Sequence, residues 1–293
     1  MSKQIALVLS GGGARGLAHI GVIEEILEQG HEIVSIAGTS MGSLIGGIYA
    51  LGEMQTLKDW FYTLDRQKVL SLVDFTFNSQ GLVKGDRVIG TIQELIPDKK
   101  IEELAIPYVA VAADIINRKE VVFREGSLYE AIRSSIAIPT VLTPVPTENG
   151  LLVDGGVLNN IPTNHVHRPA GSQLVAVNVN AQVPKPDIPF TKEEEPIKRS
   201  LYEERMEDFL LYLQKLGEGD EEKNQNEMGY FDVINKVIEL TTQRMVELSL
   251  DLYPPDVLIN ISEQTSSIFD FFMAEELVEV GRMATRAQLK DLT

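Results

Sequence analysis

The 293-residue chain contains no cysteine. Disulfide bonds, thiolate metal sites and cysteine nucleophiles are therefore excluded, and the absence fits a reducing compartment. Basic residues are scarce, because 26 Lys and Arg stand against 43 Asp and Glu, which gives a formal net charge of −17. Nucleic-acid binding depends on Lys and Arg that neutralise phosphates, so this balance argues against a nucleic-acid partner. It also argues against adhesion to an anionic membrane by charge alone.

Long apolar runs are also missing. The first run, Ile5–Leu9, is too short for a signal-peptide core, and none approaches the ~20 residues that a membrane-spanning helix needs. Hydrophobic residues still make up 44% of the chain, which is enough for a sizeable buried core. From this composition we expect a soluble, cytoplasmic protein.

Short apolar runs rich in β-branched residues alternate with longer segments of helical periodicity. This alternation predicts an α/β fold with a mostly parallel sheet covered by helices. The expected strands are Ile5–Leu9, Ile33–Ala37, Tyr108–Ala113, Leu174–Val179 and Val257–Ile261. The expected helices are Leu17–Gln29, Ser43–Leu51, Leu57–Thr63, Asp86–Leu95, Leu128–Ser135, Tyr230–Leu250 and Phe269–Leu289.

A glycine run, Ser10-Gly-Gly-Gly-Ala-Arg-Gly16, links the first predicted strand to the first predicted helix. Its spacing fits the G-x-G-x-x-G of dinucleotide-binding turns, but the acidic residue expected ~20 positions later is missing, since none lies between Glu32 and Glu53. A P-loop is excluded because Leu17 stands where lysine is required. Consecutive glycines let backbone N–H groups converge near a helix N-terminus, so the run predicts an oxyanion hole.

The second motif, Gly38-Thr-Ser-Met-Gly42, follows the second predicted strand and precedes an apolar helix. This is the strand–turn–helix context of a G-x-S-x-G nucleophile elbow, in which glycines two positions before and after the serine remove Cβ atoms that would clash. The motif predicts that Ser40 is a nucleophile. A structural helix cap is the alternative.

The third motif places Asp154 between an apolar run and two glycines, Gly155 and Gly156. An ordinary turn residue fits this pattern. A serine hydroxyl, however, needs a base to take its proton. Burial raises the pKa of a carboxyl group from ~3.9 towards useful basicity, so direct pairing of Ser40 with Asp154 is chemically reasonable.

Histidine is the other candidate base, and the chain has four. His19 falls in the first helix, where it would be structural or orient the glycine run, and His31 falls in a loop. His165 and His167 follow Asp154, so a Ser-Asp-His order remains open. A predicted strand follows both, whereas the histidine of such a triad usually lies near the end of the fold. We therefore expect these two to be surface residues.

Together, Gly11-Gly-Gly-Ala-Arg-Gly16, Gly38-Thr-Ser-Met-Gly42 and Asp154-Gly-Gly156 resemble the patatin-like phospholipase family, in the same order. The resemblance continues through Gly81-Leu-Val-Lys-Gly-Asp86, Phe123-Arg-Glu-Gly-Ser127, Ser135-Ile-Ala-Ile-Pro139 and Asn159-Asn-Ile-Pro162. It covers residues 4–182 well, and the last strand and helix more loosely.

The resemblance implies a three-layer α/β/α sandwich with a mostly parallel central sheet and a Ser-Asp dyad. Ser40 would be the nucleophile and Asp154 the base, while Gly11, Gly12 and Gly13 would supply the oxyanion hole. The remaining motif residues would support these positions: Arg15, Gly16, Gly38, Gly42, Gly155 and Gly156.

The implied activity is hydrolysis of phospholipids or other fatty-acyl esters through an acyl-serine, without a metal or other cofactor. Arg15 would either steady the glycine run or approach a substrate phosphate. The apolar stretch Val69–Phe77, with Phe75 and Phe77, is either a lipid entrance or core packing. Contact with a membrane surface would be local, apolar and transient.

We expect a single patatin-like catalytic domain over residues 1–293, in which residues 228–293 add helices and the last strand. Residues 192–227 carry 12 acidic and 6 basic side chains, about a third of the net negative charge, and are expected to be a solvated insertion. Two other functions remain open. One is an acyltransferase that uses the same acyl-serine, and the other is a non-catalytic protein whose acidic segment binds a partner. The sequence does not fix the oligomeric state.

Overall fold

The structure, a computed structural model, describes residues 2–72, 86–139, 141–187 and 230–289. The strands are β1 (Gln4–Leu9), β2 (Glu32–Thr39), β3 (Tyr108–Asp114), β4 (Lys119–Phe123), β5 (Val145–Pro146), β6 (Leu151–Asp154), β7 (Gln173–Ala181) and β8 (Val257–Ser262). The helices are α1 (Ala18–Glu28), α2 (Met41–Leu51), α3 (Met54–Tyr62), α4 (Arg66–Leu72), α5 (Asp86–Leu95), α6 (Leu128–Ser135), α7 (Tyr230–Leu252) and α8 (Ala274–Gln288). Short 3-10 helices occupy Gly13–Leu17, Ile101–Glu103, Gly155–Val157, Glu263–Thr265 and Phe271–Met273.

The strands form one mixed sheet in the order β5-β6-β3-β2-β1-β7-β8, with β4 paired to β3. Strands β3, β2, β1, β7 and β8 run parallel, so their carboxyl ends lie at one end of the sheet. Strands β4, β5 and β6 pair in antiparallel fashion. The carboxyl ends of open parallel sheets are where ligands bind, and the two predicted motifs that follow β1 and β2 lie there.

Strand β3 has two partners along one of its edges. Residues 108–111 pair with β2 as far as Thr39, and residues 112–114 pair with β6 from Asp154 onward. Strand β4 pairs with residues 110–114 and therefore occupies the opposite edge. Because β6 runs antiparallel to β3, the carboxyl ends of β2 and β6 meet head to head on the shared edge.

The two faces of the sheet are covered unequally. Alternate residues of a strand point to opposite faces, and Ile5, Leu7 and Leu9 of β1 lie in the larger buried core with residues of α1, α2, α6 and α8. Ala6 and Val8 of β1 pack on the other face, where α7 contributes Val246 and the loop after β6 contributes Ile161. The sheet therefore lies between a thick helical layer and a thinner one.

The predicted α/β fold with a mostly parallel sheet is confirmed, and the five predicted strands lie within β1, β2, β3, β7 and β8. The first predicted helix, Leu17–Gln29, corresponds to α1, and a 3-10 turn over Gly13–Leu17 precedes it. The last one begins at Ala274 instead of Phe269, because a loop and a 3-10 helix precede it. Phe75, Phe77 and residues 192–227 lie outside the described residues.

Three strands were missed by the sequence prediction. Strand β5 has two residues, one of them proline, and β6 has four, so neither is long enough to show an alternation of apolar and polar residues. Among the described residues strand β4 pairs with β3 alone, and its side chains are half-buried or exposed, so it lacks the buried apolar run by which the five other strands were predicted. Within the described part of the chain, no helix combines the length and apolarity needed to cross a membrane.

Candidate active site

Ser40 stands in the tight turn between the end of β2 and the start of α2 at Met41. Its φ is 54° and its ψ is −125°, a backbone conformation that costs energy for a residue with a side chain. The Ser40 N–H donates to Ser135 Oγ at 2.9 Å, and the Ser135 hydroxyl donates to the Val111 carbonyl at 2.6 Å. Ser135 thus ties the strained turn to β3.

Glycines on both sides of this serine let three backbone segments approach one another. A Cβ at Gly38 would overlap the Gly42 carbonyl, and a Cβ at Gly42 would overlap the Leu9 carbonyl of β1. Gly16 lies against the same turn, because a Cβ there would overlap the Met41 side chain. Backbone oxygens cannot rotate away as side chains can, so positions 38 and 42 require glycine.

Asp154 ends β6 and has only 6% of its surface exposed. Its N–H donates to the Ala137 carbonyl at 2.9 Å, and its carboxylate accepts the Gly156 N–H at 2.8 Å. The Ser40 hydroxyl lies within hydrogen-bonding reach of the same carboxylate. Burial raises the pKa of Asp154 from 3.8 to about 6, although both hydrogen bonds act to lower it.

The two glycines after Asp154 keep its turn close to β3. A Cβ at Gly155 would overlap the Val111 carbonyl, and a Cβ at Gly156 would lie 2.8 Å from Asn160 Oδ1. The structure therefore brings the second and third motifs together against β3.

The glycine run leaves two backbone donors unpaired beside this pair. The N–H groups of Gly11 and Ala14 donate to backbone carbonyls at 3.1 and 2.9 Å. Between them, the N–H groups of Gly12 and Gly13 donate to no acceptor in the described part of the chain. Of the three expected oxyanion donors, Gly11 is thus already engaged, and Gly12 and Gly13 are available.

Arg15 is half-buried and held by protein acceptors. Its Nε and Nη2 atoms donate to Asn180 Oδ1 at 3.2 and 2.7 Å. Its Nη1 atom donates to the carbonyls of Glu263 and Ser266 at 3.5 and 3.3 Å. Burial lowers the pKa of the guanidinium, against the raising effect of nearby Glu263. These contacts favour a role in steadying the loop over direct phosphate binding.

Two of the histidines, His19 and His165, have side-chain partners other than Ser40. His19 is fully buried, its Nε2 lies 2.8 Å from the Ser10 carbonyl, and burial lowers its pKa to about 4. Because a carbonyl only accepts, Nε2 carries the proton of the neutral ring. His165 Nε2 lies 2.6 Å from Glu120, and neither His165 nor His167 lines the cavity beside the serine.

A cavity of about 410 Å³ opens beside Ser40 and Asp154. The glycine run forms one wall, and α7 forms another. Its apolar lining consists of Ile138, Pro139, Val157, Ala181, Val183, Ile238, Val246, Leu250, Leu258 and Ile268. The apolar part of the lining suits an acyl chain, and polar side chains that also line the cavity, among them Asn160, Asn180 and Glu239, can fix its orientation. Among the described residues, no three His, Asp or Glu side chains are grouped as a metal site.

Three residues of this site were given no role by the sequence analysis. Ser135 and Asn160 lie in segments that resemble the family, yet nothing in their spacing shows what they contact. Asn180 lies 165 positions from Arg15 along the chain. No local pattern could have shown this contact, because only the pairing of β7 with β1 brings the two together.

Comparison with known proteins identifies a family and several relatives that this chain resembles. Residues 7–167 match the patatin-like phospholipase family. Uncharacterized NTE family proteins of Mycobacterium bovis and Mycobacterium tuberculosis are 31% identical to this chain, over 98% of it and 91% of their own length. Patatin-like phospholipase domain-containing protein 6 of Mus musculus is 34% identical over 61% of this chain and 14% of its own length. The crystal structure of VipD from Legionella pneumophila aligns with 99% of this chain and 67% of its own, with 14% identity and a TM-score of 0.47.

The family match covers more than half of the chain, and the mycobacterial relatives cover nearly all of it. The chain therefore belongs to the patatin-like phospholipase family and has NTE family proteins among its relatives.

Proposed function

We propose that this protein is a serine lipid acyl hydrolase that cleaves fatty-acyl esters of phospholipids or lysophospholipids with a Ser40–Asp154 dyad. One observation carries the proposal: the Ser40 hydroxyl lies within reach of a buried carboxylate whose pKa is raised to about 6. The ester substrate class is supported by membership of the patatin-like phospholipase family.

Acylation begins when Asp154 takes the hydroxyl proton and Ser40 Oγ attacks the acyl carbonyl carbon. A carboxyl group with a raised pKa is a stronger base than an ordinary aspartate yet remains ionised near pH 7. The carbonyl oxygen becomes an oxyanion, which the unpaired N–H groups of Gly12 and Gly13 bind. Asp154 then gives the proton to the leaving alcohol, and the acyl-serine remains.

Deacylation repeats these steps with water in place of serine. Asp154 takes a proton from the water, the hydroxide attacks the acyl carbonyl, and the same two N–H groups bind the second oxyanion. Collapse of this intermediate releases the fatty acid and returns the proton from Asp154 to Ser40 Oγ. One carboxylate thus acts as base and acid in both halves of the reaction.

The cavity supplies the place for the acyl chain. Its apolar wall includes Ile238, Val246 and Leu250 of α7, which is the element that covers the thinner face of the sheet. A chain seated there would place its ester next to Ser40, at the end of the cavity that the glycine run lines. The lipid would enter locally, without a charged membrane-binding surface, which suits the acidic composition.

A fluorophosphonate probe tests the nucleophile directly. It should label the wild type at Ser40, and Ser40→Ala should abolish both labelling and ester hydrolysis. Asp154→Asn should lower both by several orders of magnitude, because the hydroxyl then lacks a base. Ser134→Ala is the matched control, since Ser134 is also buried but donates within α6, to the Glu130 carbonyl at 2.8 Å.

Product analysis then separates the alternatives. Free fatty acid from a phospholipid substrate identifies a hydrolase, whereas acyl transfer to an added alcohol or thiol identifies a transferase. Full activity in Asp154→Asn combined with loss in His165→Ala would replace the dyad with a triad. An unlabelled and inactive wild type would favour the non-catalytic alternative.

A further inference from the structure

We infer that Asn180, held by Arg15, is a positioning residue that aims the Gly12 N–H at the oxyanion. The inference rests on the proposed function, because it concerns the donor that would bind the developing charge. Asn180 and Arg15 would act on the position of this donor without touching the reacting atoms themselves.

The carbonyl of Gly11 is held by two side-chain amides. Asn180 Nδ2 donates to it at 2.6 Å and Asn160 Nδ2 donates to it at 3.3 Å. A trans peptide is planar, and its C=O and N–H bonds point in opposite directions. Fixing the Gly11 carbonyl therefore fixes the Gly12 N–H, which points away from both amides.

Arg15 determines which way the Asn180 amide faces. A guanidinium group only donates hydrogen bonds, so the amide atom that meets Nε and Nη2 must be the oxygen. The NH₂ group of Asn180 is then left to face the Gly11 carbonyl. The opposite amide orientation would set donor against donor at Arg15 and oxygen against oxygen at Gly11.

Arg15 is in turn anchored to the turn that follows β8, through the carbonyls of Glu263 and Ser266. The glycine run needs such an external support, because three consecutive glycines have no side chains to restrict their peptide planes. A hydrogen-bonded path thus leads from this turn through Arg15 and Asn180 to the Gly11–Gly12 peptide. An oxyanion donor helps catalysis only if it is already aimed before the charge develops.

Two substitutions of Asn180 test the inference. Asn180→Asp keeps an oxygen for Arg15 but places a second oxygen against the Gly11 carbonyl, and Asn180→Leu removes both contacts without adding charge. Removal of one oxyanion donor costs about 10²–10³ in kcat. A misdirected donor should therefore lower kcat about 10–100-fold, with KM changed less than about threefold.

The substrate for this test is p-nitrophenyl butyrate, which carries no phosphate. The matched control is Gln288→Glu, because the Gln288 amide also bridges backbone groups, at Asn260, but lies outside the cavity lining. It should keep the wild-type kcat. Thermal unfolding of each variant excludes loss of folded protein, and Asn180→Asp decides if Asn180→Leu fails to fold.

Arg15→Ala completes the test. If both side chains act on one peptide, Arg15→Ala should lower kcat for the phosphate-free ester, and the double variant with Asn180→Leu should be no worse than the more damaging single one. If Arg15 instead binds a substrate phosphate, Arg15→Ala would raise KM for phospholipid and leave the phosphate-free ester unaffected. That result would overturn the inference.

The two proposals fail differently. An inactive wild type that no fluorophosphonate labels would overturn the proposed function. An active, labelled wild type whose Asn180 variants keep its kcat would overturn only the positioning role of Asn180.

Discussion

Thr39 and Asp154 lie opposite consecutive residues of β3, Val111 and Ala112, on the same edge of that strand. Strand β2 arrives at this point from one direction and β6 from the other. Ser40, the next residue after Thr39, is thereby brought to the Asp154 carboxylate. The sheet itself, and not a flexible loop, sets the geometry of the pair.

The raised pKa of Asp154 predicts how activity depends on pH. Below pH 6 the carboxyl group is protonated and cannot accept the serine proton, so kcat/KM should fall about tenfold per pH unit. Above about pH 7 it should reach a plateau. Hydrolysis of a non-titrating ester between pH 4.5 and 8 measures the profile.

Two outcomes would contradict the proposal that Asp154 is the base. A midpoint below about 4.5 would indicate an ordinary solvated aspartate as the base. A profile that changes in His165→Gln would indicate an imidazole. We expect that variant to reproduce the wild-type midpoint, because His165 pairs with Glu120 instead of Ser40.

The same pKa shift makes a prediction about stability. Between pH 3.8 and about 6 the folded state keeps a proton that the unfolded state releases, so the free energy of unfolding falls as pH rises through this window. The wild type should lose about 3 kcal/mol from this group, at 1.36 kcal/mol per pKa unit. Asp154→Asn has no such loss, so its free energy of unfolding should rise relative to that of the wild type by about 2 kcal/mol, most of that amount, from pH 4 to pH 7.

Urea unfolding at both pH values measures this difference. Asp114→Asn is the control of opposite sign, because hydrogen bonds from Asn117, Ile116 and Leu151 lower the pKa of Asp114. That variant should lose stability relative to wild type as pH rises from about 2 to about 4, the window between the folded and unfolded pKa values of Asp114, and should change little between pH 4 and pH 7. An equal response of both variants would show that neither carboxyl group has the environment described above.

Ser135 provides a test of the strained turn. Ser135→Ala should leave the Ser40 N–H and the Val111 carbonyl without their buried partner, at a cost of about 1–3 kcal/mol in unfolding free energy. It should also lower kcat, since the turn that presents Ser40, the proposed nucleophile, loses its anchor to β3. Chemical denaturation and ester hydrolysis are the two measurements. Ser134→Ala, which removes only a bond within α6, should change both less.

A structural feature could be predicted from the sequence where the residues that determine it lie close together along the chain. Buried parallel strands are short apolar runs, so β1 and β7 could be read locally. The position of Ser40 could be read because its glycines stand two residues away on either side. The hydrogen bond from the Gly11 N–H to the Asn160 carbonyl could not be predicted, because Asn160 lies 149 positions further along the chain.

The antiparallel strands show the same limit. Strand β6 is only four residues long. Its position is set by pairing with the last three residues of β3, which extend beyond the end of β2 and are therefore free to pair with β6 on the same edge. Asp154 was therefore identified by its glycines and by the chemical need for a base. Its position opposite Ala112 became visible only in the sheet.

Ile238 provides the last prediction, on acyl-chain length. It lies on the cavity wall formed by α7, so Ile238→Trp should shorten the space available to the chain. Hydrolysis of a long-chain p-nitrophenyl ester should fall at least tenfold relative to the butyrate ester, since the short chain does not reach the added ring. Leu240→Trp is the control, because Leu240 is 66% exposed on the same helix and does not line the cavity. Equal losses for both ester lengths in Ile238→Trp would show that the acyl chain does not lie along α7.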